Sequence, residues 1–342
     1  MKKMSFGKTK AGKEAFLYNI SNGNVCASIT DYGANIVSLY VCKGEQEPVD
    51  VVLGYDDVTG YENGTYFFGC PVGRSGNRIA KGSFVLNGKT YQLDKNENGN
   101  NLHSGFAFYS KRFWEFVEIT ENKIEFSLRS PDGDQGYPGN LEIFMTYEIT
   151  DDGMFRITYE GVSDQDTIVN LTNHSYFNLN GNDSGDILSH KVTIDANCFT
   201  EADQESIPTG TLIDVIDTPM DFRTGRVLGQ DMHSDYQAIV YGSGYDHNWA
   251  LNNDGKFAKV AEAVGDKTGI VMEVYTDLPG MQMYSGNFIT EEKGKGDVVY
   301  KKHAGFCFET QYFPDAINHD NFIDPILKAG ESFTTVTGYQ FK

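Results

Sequence analysis

The chain has 342 residues, a net charge of −20, and is 39% hydrophobic and 13% aromatic. That length can bury a large core in one β domain or two ordinary ones, and the acidity excludes nucleic acid and anionic membranes as natural partners. No run approaches the ~18 apolar residues of a membrane span, and the basic start MKKMSFGKTKAGKEAF lacks the apolar stretch of a signal peptide.

Five widely spaced cysteines, Cys26, Cys42, Cys70, Cys198 and Cys307, form no CxxC pair. They fit small core residues in a reducing compartment better than a thiolate zinc site or a disulfide framework. A cytoplasmic protein is expected.

In chain order, NVCASITDYGANIVSLYVCKG (24–44) predicts strand, glycine turn, strand. GSFVLNGKTYQL (82–93) predicts a hairpin turning at Asn87-Gly88, the strongest short-range signal of that kind. KIEFSLRS (123–130), LEIFMTYEIT (141–150) and MFRITYEGV (154–162) follow as strands, the last two joined by Asp151-Asp152-Gly153. VNLTNHSYFNL (169–179) also predicts a strand. Its residues alternate between an apolar or small face and a face of Asn170, Thr172, His174, Tyr176 and Asn178, all able to hydrogen-bond. KVTIDANCFT (191–200), GIVMEVYTD (269–277) and SFTTVTGYQF (332–341) continue the strands. Helical periodicity is weak, 257–264 being the best candidate. The fold class is therefore all-β, a large antiparallel sandwich, in one domain over residues 1–342 with no linker or repeat.

Five stretches carry chemistry. His174 belongs either to a solvated sheet face or to the wall of a lined cavity. Glu309 is the sole charge in AGFCFETQYF (304–313). It is either an edge-strand or ion-paired charge, or a desolvated carboxyl with a raised pKa suited to general-base work. GRSGNRIAKGSF (73–84) sets Arg74, Asn77 and Arg78 among glycines as donors to neutral hydroxyls, without the spacing of a phosphate loop. His103 lies in the Gly/Asn-rich loop NGNNLHSGF (98–106). Asp246 stands beside His247 and Trp249, a carboxylate next to a ring on which a sugar could stack. His190, His233, His303 and His319 read as surface or structural residues.

GRSGNRIAKGSFVLNGKTYQL, NNLHSG, DGDQGYPGNL, LTNHSYFNL, TPMDFRTGR, YDHNW, LPGMQMYSGNF and FETQYFPDAINH, in that order, resemble the aldose 1-epimerase (galactose mutarotase) family from Gly33 to Phe341. The resemblance implies a large β-sandwich with a sugar on its concave face. It implies Glu309 as catalytic base, His174 as catalytic acid and His103 close to the reacting end. Asn77, Arg78, Asp246 and Gln282 would hold hydroxyls. Ser75-Gly76 departs from the bulkier residues common at that point in the family. The expected substrate is a free monosaccharide such as galactose or glucose, with no cofactor and no metal, in a monomer or homodimer. The competing readings are a non-catalytic sugar-binding module, a hexose-6-phosphate 1-epimerase, a two-carboxylate glycoside hydrolase using Asp246 and Glu309, and a metal enzyme using His103, His174 and a carboxylate.

Overall fold

Along Leu141–Ile149 every second residue is buried, the two-residue period of a strand with one covered face. That strand belongs to a nine-stranded antiparallel sheet. Its order is Glu115–Ile119, Lys123–Ser130, Leu141–Ile149, Met154–Ser163, Ser332–Phe341, Val271–Thr276, Ala258–Val264, Lys191–Ile194, Arg226–Val227. The chain's last strand is thus inserted beside Met154–Ser163 at the centre of the sheet, in unbroken register from Met154 opposite Gln340 to Val162 opposite Ser332. The computed structural model describes residues 3–44 and 46–342. The first two residues of the segment read as lacking a signal peptide lie outside it.

A five-stranded sheet at the N-terminus runs from Lys3–Lys8 to Val49–Asp50 in chain order. A second five-stranded sheet is ordered Pro208–Asp214, Ala196–Ala202, Asp246–Leu251, Gly280–Tyr284, Cys307–Gln311. Inward side chains of all three sheets, such as Ile29, Leu39, Ile143, Ile157, Val274 and Phe308, share one apolar core. The expected hairpin forms, pairing Ser83–Leu86 with Lys89–Gln92. Its turn places both Asn87 (φ 52°) and Gly88 (φ 75°) in the left-handed region that these residues tolerate. Among the described residues the α-helices are Val58–Asn63 and Gln237–Gly242, and no helix is long and apolar enough to cross a membrane. All five cysteines are free.

Two expectations about elements fail. Residues 257–264 form a strand, Ala258–Val264, inside the nine-stranded sheet. A bulge between Lys259 and Ala261 buries Val260 and Ala261 in succession, which breaks the alternation and imitates helical spacing. The segment 169–179 is strand only over Thr172–His174, paired with Cys70–Val72. All of its residues are buried, so there is no solvated face. Asn170 is spent on the backbone of Tyr312, accepting from its N–H at 2.9 Å. Asn178 donates to the carbonyls of Gly185 and Ala304. These amides pin irregular chain to its neighbours, and of the supposed polar face only His174 and Tyr176 reach a cavity.

Candidate active site

Three adjacent strands deliver one row of polar groups. In Asp246–Leu251, Gly280–Tyr284 and Cys307–Gln311 the register sets Asn248 opposite Gln282 and Gln282 opposite Glu309. The neighbouring row on the same face is Asp246, Tyr284 and Cys307. The Thr172–His174 strand lies against Cys307–Gln311. It brings His174 Nε2 to 3.7 Å from Glu309 Oε1. The loop after Asn101–Leu102 then adds His103, whose ring centroid is 5.5 Å from that of His174.

These groups line a cavity of about 280 Å³ together with Asn77, Arg78, Asp246 and Gln282, so the seven residues that the family resemblance implied meet at one place. His103 is held by a reciprocal pair. Its N–H donates to the Asn77 carbonyl at 3.0 Å, and its Nδ1 accepts from the Asn77 N–H at 3.2 Å. Both residues have positive φ, 56° for Asn77 and 52° for His103, so two tight turns clasp each other. Arg78 makes a two-pronged ion pair with Glu97, Nε to Oε2 at 2.9 Å and Nη2 to Oε1 at 2.7 Å.

Electrostatics follow from dryness. Glu309 is 2% exposed, and its Oε2 finds no hydrogen-bond partner among the described residues. Burial pushes its carboxyl well above the usual range, the Asp246 charge adds to this, and Arg78 opposes it. Burial also lowers the His174 imidazole to about 4, offset slightly by a hydrogen bond to its own backbone. His103 is pulled well below its usual value by burial, then by His174 and Arg78. A carboxyl that rises and an imidazole that falls, in contact, keep one proton between them on the Glu309 side and make the pair a candidate for proton exchange. Gln282 Oε1 likewise lacks a partner among the described residues, so the cavity presents two acceptors suited to hydroxyl donors.

His103, His174 and Glu309 could together hold a metal ion, since each offers one ligand atom within 4.8 Å of the other two. A larger cavity of about 450 Å³ adjoins the first, sharing Phe67, Leu102 and Glu97, but it contains neither Glu309 nor His174. The smaller cavity has the chemistry.

Some sequence readings need correction. Trp249 cannot stack on a sugar: it is 0% exposed, packs against Phe222 and donates from its indole to the Met220 carbonyl. Arg74 is also structural, fully buried and donating to Pro138 O, Ser130 O, Ser130 Oγ and Thr167 Oγ1. Of the two readings offered for His190, surface or structural, the second holds: it is a buried acceptor for the Leu179 N–H at 3.0 Å. The Ser75-Gly76 departure is a packing matter. A Cβ on Gly76 would stand 2.8 Å from Thr172 Cγ2, so this loop must be small to lie on the strand that carries His174.

Sequence reasoning missed Glu97, Phe67 and Phe288, which line the cavity from loops with no periodic signal. Tyr284 was within reach, being two residues from Gln282 on one strand.

Comparison with known proteins bears on the family and the fold. The profile of the aldose 1-epimerase family matches residues 17–340. Galactose mutarotase of Rattus norvegicus is 39% identical over 338 residues, covering 98% of this chain and 97% of that protein. Aldose 1-epimerase of Escherichia coli K12 is 34% identical, covering 94% and 93%. The crystal structure of an aldose epimerase homologue from C. elegans superposes with a TM-score of 0.89 at 28% identity, covering 96% of this chain and 99% of that one. The chain therefore belongs to the aldose 1-epimerase family and is an isomerase of that class.

Proposed function

We propose that the chain interconverts the α and β anomers of a free aldohexose such as galactose or glucose, with Glu309 as general base and His174 as general acid, in a single domain spanning the chain. The observation that carries this reading is the buried contact of Glu309 Oε1 with His174 Nε2 at 3.7 Å. In ring opening, ionised Glu309 takes the proton of the C1 hydroxyl and the C1–O1 bond becomes a carbonyl. The bond from C1 to the ring oxygen breaks, and that oxygen receives the Nε2 proton of His174. The open aldehyde turns about C1–C2. Closure on its other face returns both protons, so no net proton is consumed.

Burial favours protonated Glu309 beside neutral His174, the form that receives the open-chain sugar. The form that attacks the ring has the same proton count, with the proton on His174. A sugar hydroxyl donating to Glu309 Oε2 stabilises the carboxylate and favours that transfer. Each positioned acid or base contributes ~10²–10⁴-fold. Asn77, Arg78, Asp246 and Gln282 hold the remaining hydroxyls, and His103 stands by the ring oxygen.

A free sugar fits better than a sugar phosphate. Arg78 is the one cation lining the cavity among the described residues, and its guanidinium is paired with Glu97. Polarimetry on freshly dissolved α-D-glucose and α-D-galactose tests the reading. Glu309→Gln and His174→Asn each lose about 10²-fold or more in kcat while sugar binding persists. Wild-type rates in either variant overturn it. Equal turnover of glucose 6-phosphate overturns the substrate assignment.

A further inference from the structure

The side of His174 away from Glu309 meets a group to which the mechanism gives no part. Nδ1 lies 3.4 Å from Cys307 Sγ, and both residues are buried, at 6% and 0% exposure. Cys307 and Glu309 are two residues apart on one strand and share a face, so one strand presents a thiol to one ring nitrogen and a carboxyl to the other.

We infer that Cys307 is the positioning residue that sets the tautomer of His174. This rests on the reading of His174 as the acid. An imidazole that gives its Nε2 proton to a sugar oxygen must hold its other proton on Nδ1, and a buried N–H needs an acceptor. The sulfur lone pairs of Cys307 accept it. The proton stays on Nδ1 in the neutral form as well, so Nε2 is bare and can take the proton that Glu309 or the open-chain hydroxyl gives it. Burial keeps Cys307 a neutral thiol, an acceptor too weak to draw the Nδ1 proton away.

The test compares Cys307→Ala with Cys307→Ser in kcat, KM and the ¹⁵N spectrum of His174. The expected result is a loss of about three- to tenfold in kcat for the alanine variant at unchanged KM, the rate equivalent of one modest hydrogen bond. The serine variant stays within about twofold of wild type, since its hydroxyl also accepts. The Nδ1 and Nε2 shifts of neutral His174 change tautomer balance in the alanine variant only. Alanine at the wild-type rate, or an unchanged tautomer balance, overturns the inference. Equal losses in both variants do the same, because they would mean packing alone. If the alanine variant does not fold, the S–H stretching band of Cys307 in wild type, assigned by difference from the serine variant, decides. A band at the free-thiol frequency supports acceptance from Nδ1–H, and a band shifted to lower frequency, by donation to a bare Nδ1, refutes it. Failure of the acid assignment reads differently: His174→Asn would then retain turnover, whereas failure here leaves that variant inactive and Cys307→Ala active.

Discussion

Gln282 and Glu309 face each other across paired strands, yet the Gln282 amide turns its N–H to Asp246 Oδ1 at 2.7 Å and leaves the carboxyl without it. A donor so close would have held Glu309 ionised and a weak base. Diverting it keeps the carboxyl dry, and the Asp246 charge pushes its pKa further up. Two residues assigned to sugar binding therefore also tune the base.

The pH dependence of kcat/KM should be a bell. The Glu309–His174 pair works while it holds one proton between them. It gains a second on the acid side as His174 titrates near 4, and loses the first on the basic side at the raised value of Glu309. Assays in the first seconds after a pH jump should place the acid limb near pH 4. A limb near 6.5, where a solvated imidazole titrates, would contradict the dry pair. In Asp246→Asn the basic limb should move to lower pH and KM should rise.

Glu97 fixes the Arg78 guanidinium from outside the reacting centre. Glu97→Gln breaks the charge-assisted pair, worth about 1.5–3 kcal/mol in such settings. We expect KM to rise about tenfold with kcat within about twofold. A fall in kcat at unchanged KM would assign Glu97 to the chemical step.

Stability should fall on acidification well before the carboxylates as a class are titrated. Burial holds His190 neutral, lowering it from 6.5 to about 4. The unfolded chain takes up that proton first, so the contribution is complete above pH 6.5 and is lost as pH falls toward 4. It amounts to roughly 3 kcal/mol. His103, His247 and His303 are shifted in the same direction by burial. Glu309 has the opposite sign, its contribution being lost as pH rises above the usual carboxylate value through its raised one. Thermal melts should show Tm dropping between pH 6.5 and 4. His190→Gln should flatten that slope, and an unaltered slope would rule His190 out as a source.

Arg74→Met should be among the most damaging single changes. It leaves the carbonyls of Ser130 and Pro138 without a donor in a fully buried setting. Each stranded acceptor costs about 1–3 kcal/mol. Urea unfolding should show a lowered midpoint at unchanged slope, and a loss below about 1 kcal/mol would mean that the pocket readjusts.

Much of the architecture was legible because strands advertise themselves locally. The period of two in Leu141–Ile149, Asn87-Gly88 at the hairpin and the isolated charge of Glu309 need only neighbours in sequence to be read. Local pattern failed where the chain broke its own rhythm: the bulge in Ala258–Val264, and the irregular segment that follows His174. The ordered motifs carried the site residues, but they could not distinguish a wall of the cavity from a wall of the core. Trp249 and Asp246 stand three apart on one strand, on opposite faces, and only the second reaches the cavity.

By itself, then, the sequence determined an acidic β protein of a known family and named its candidate reacting groups. Tertiary structure alone decided that His174 meets Cys307, 133 residues away, on one nitrogen and Glu309 on the other. It also decided that Glu97 steadies Arg78. Periodicity records which way a side chain points, whereas contacts between distant segments depend on how sheets and loops pack, and the pKa values depend on the water that this packing removes.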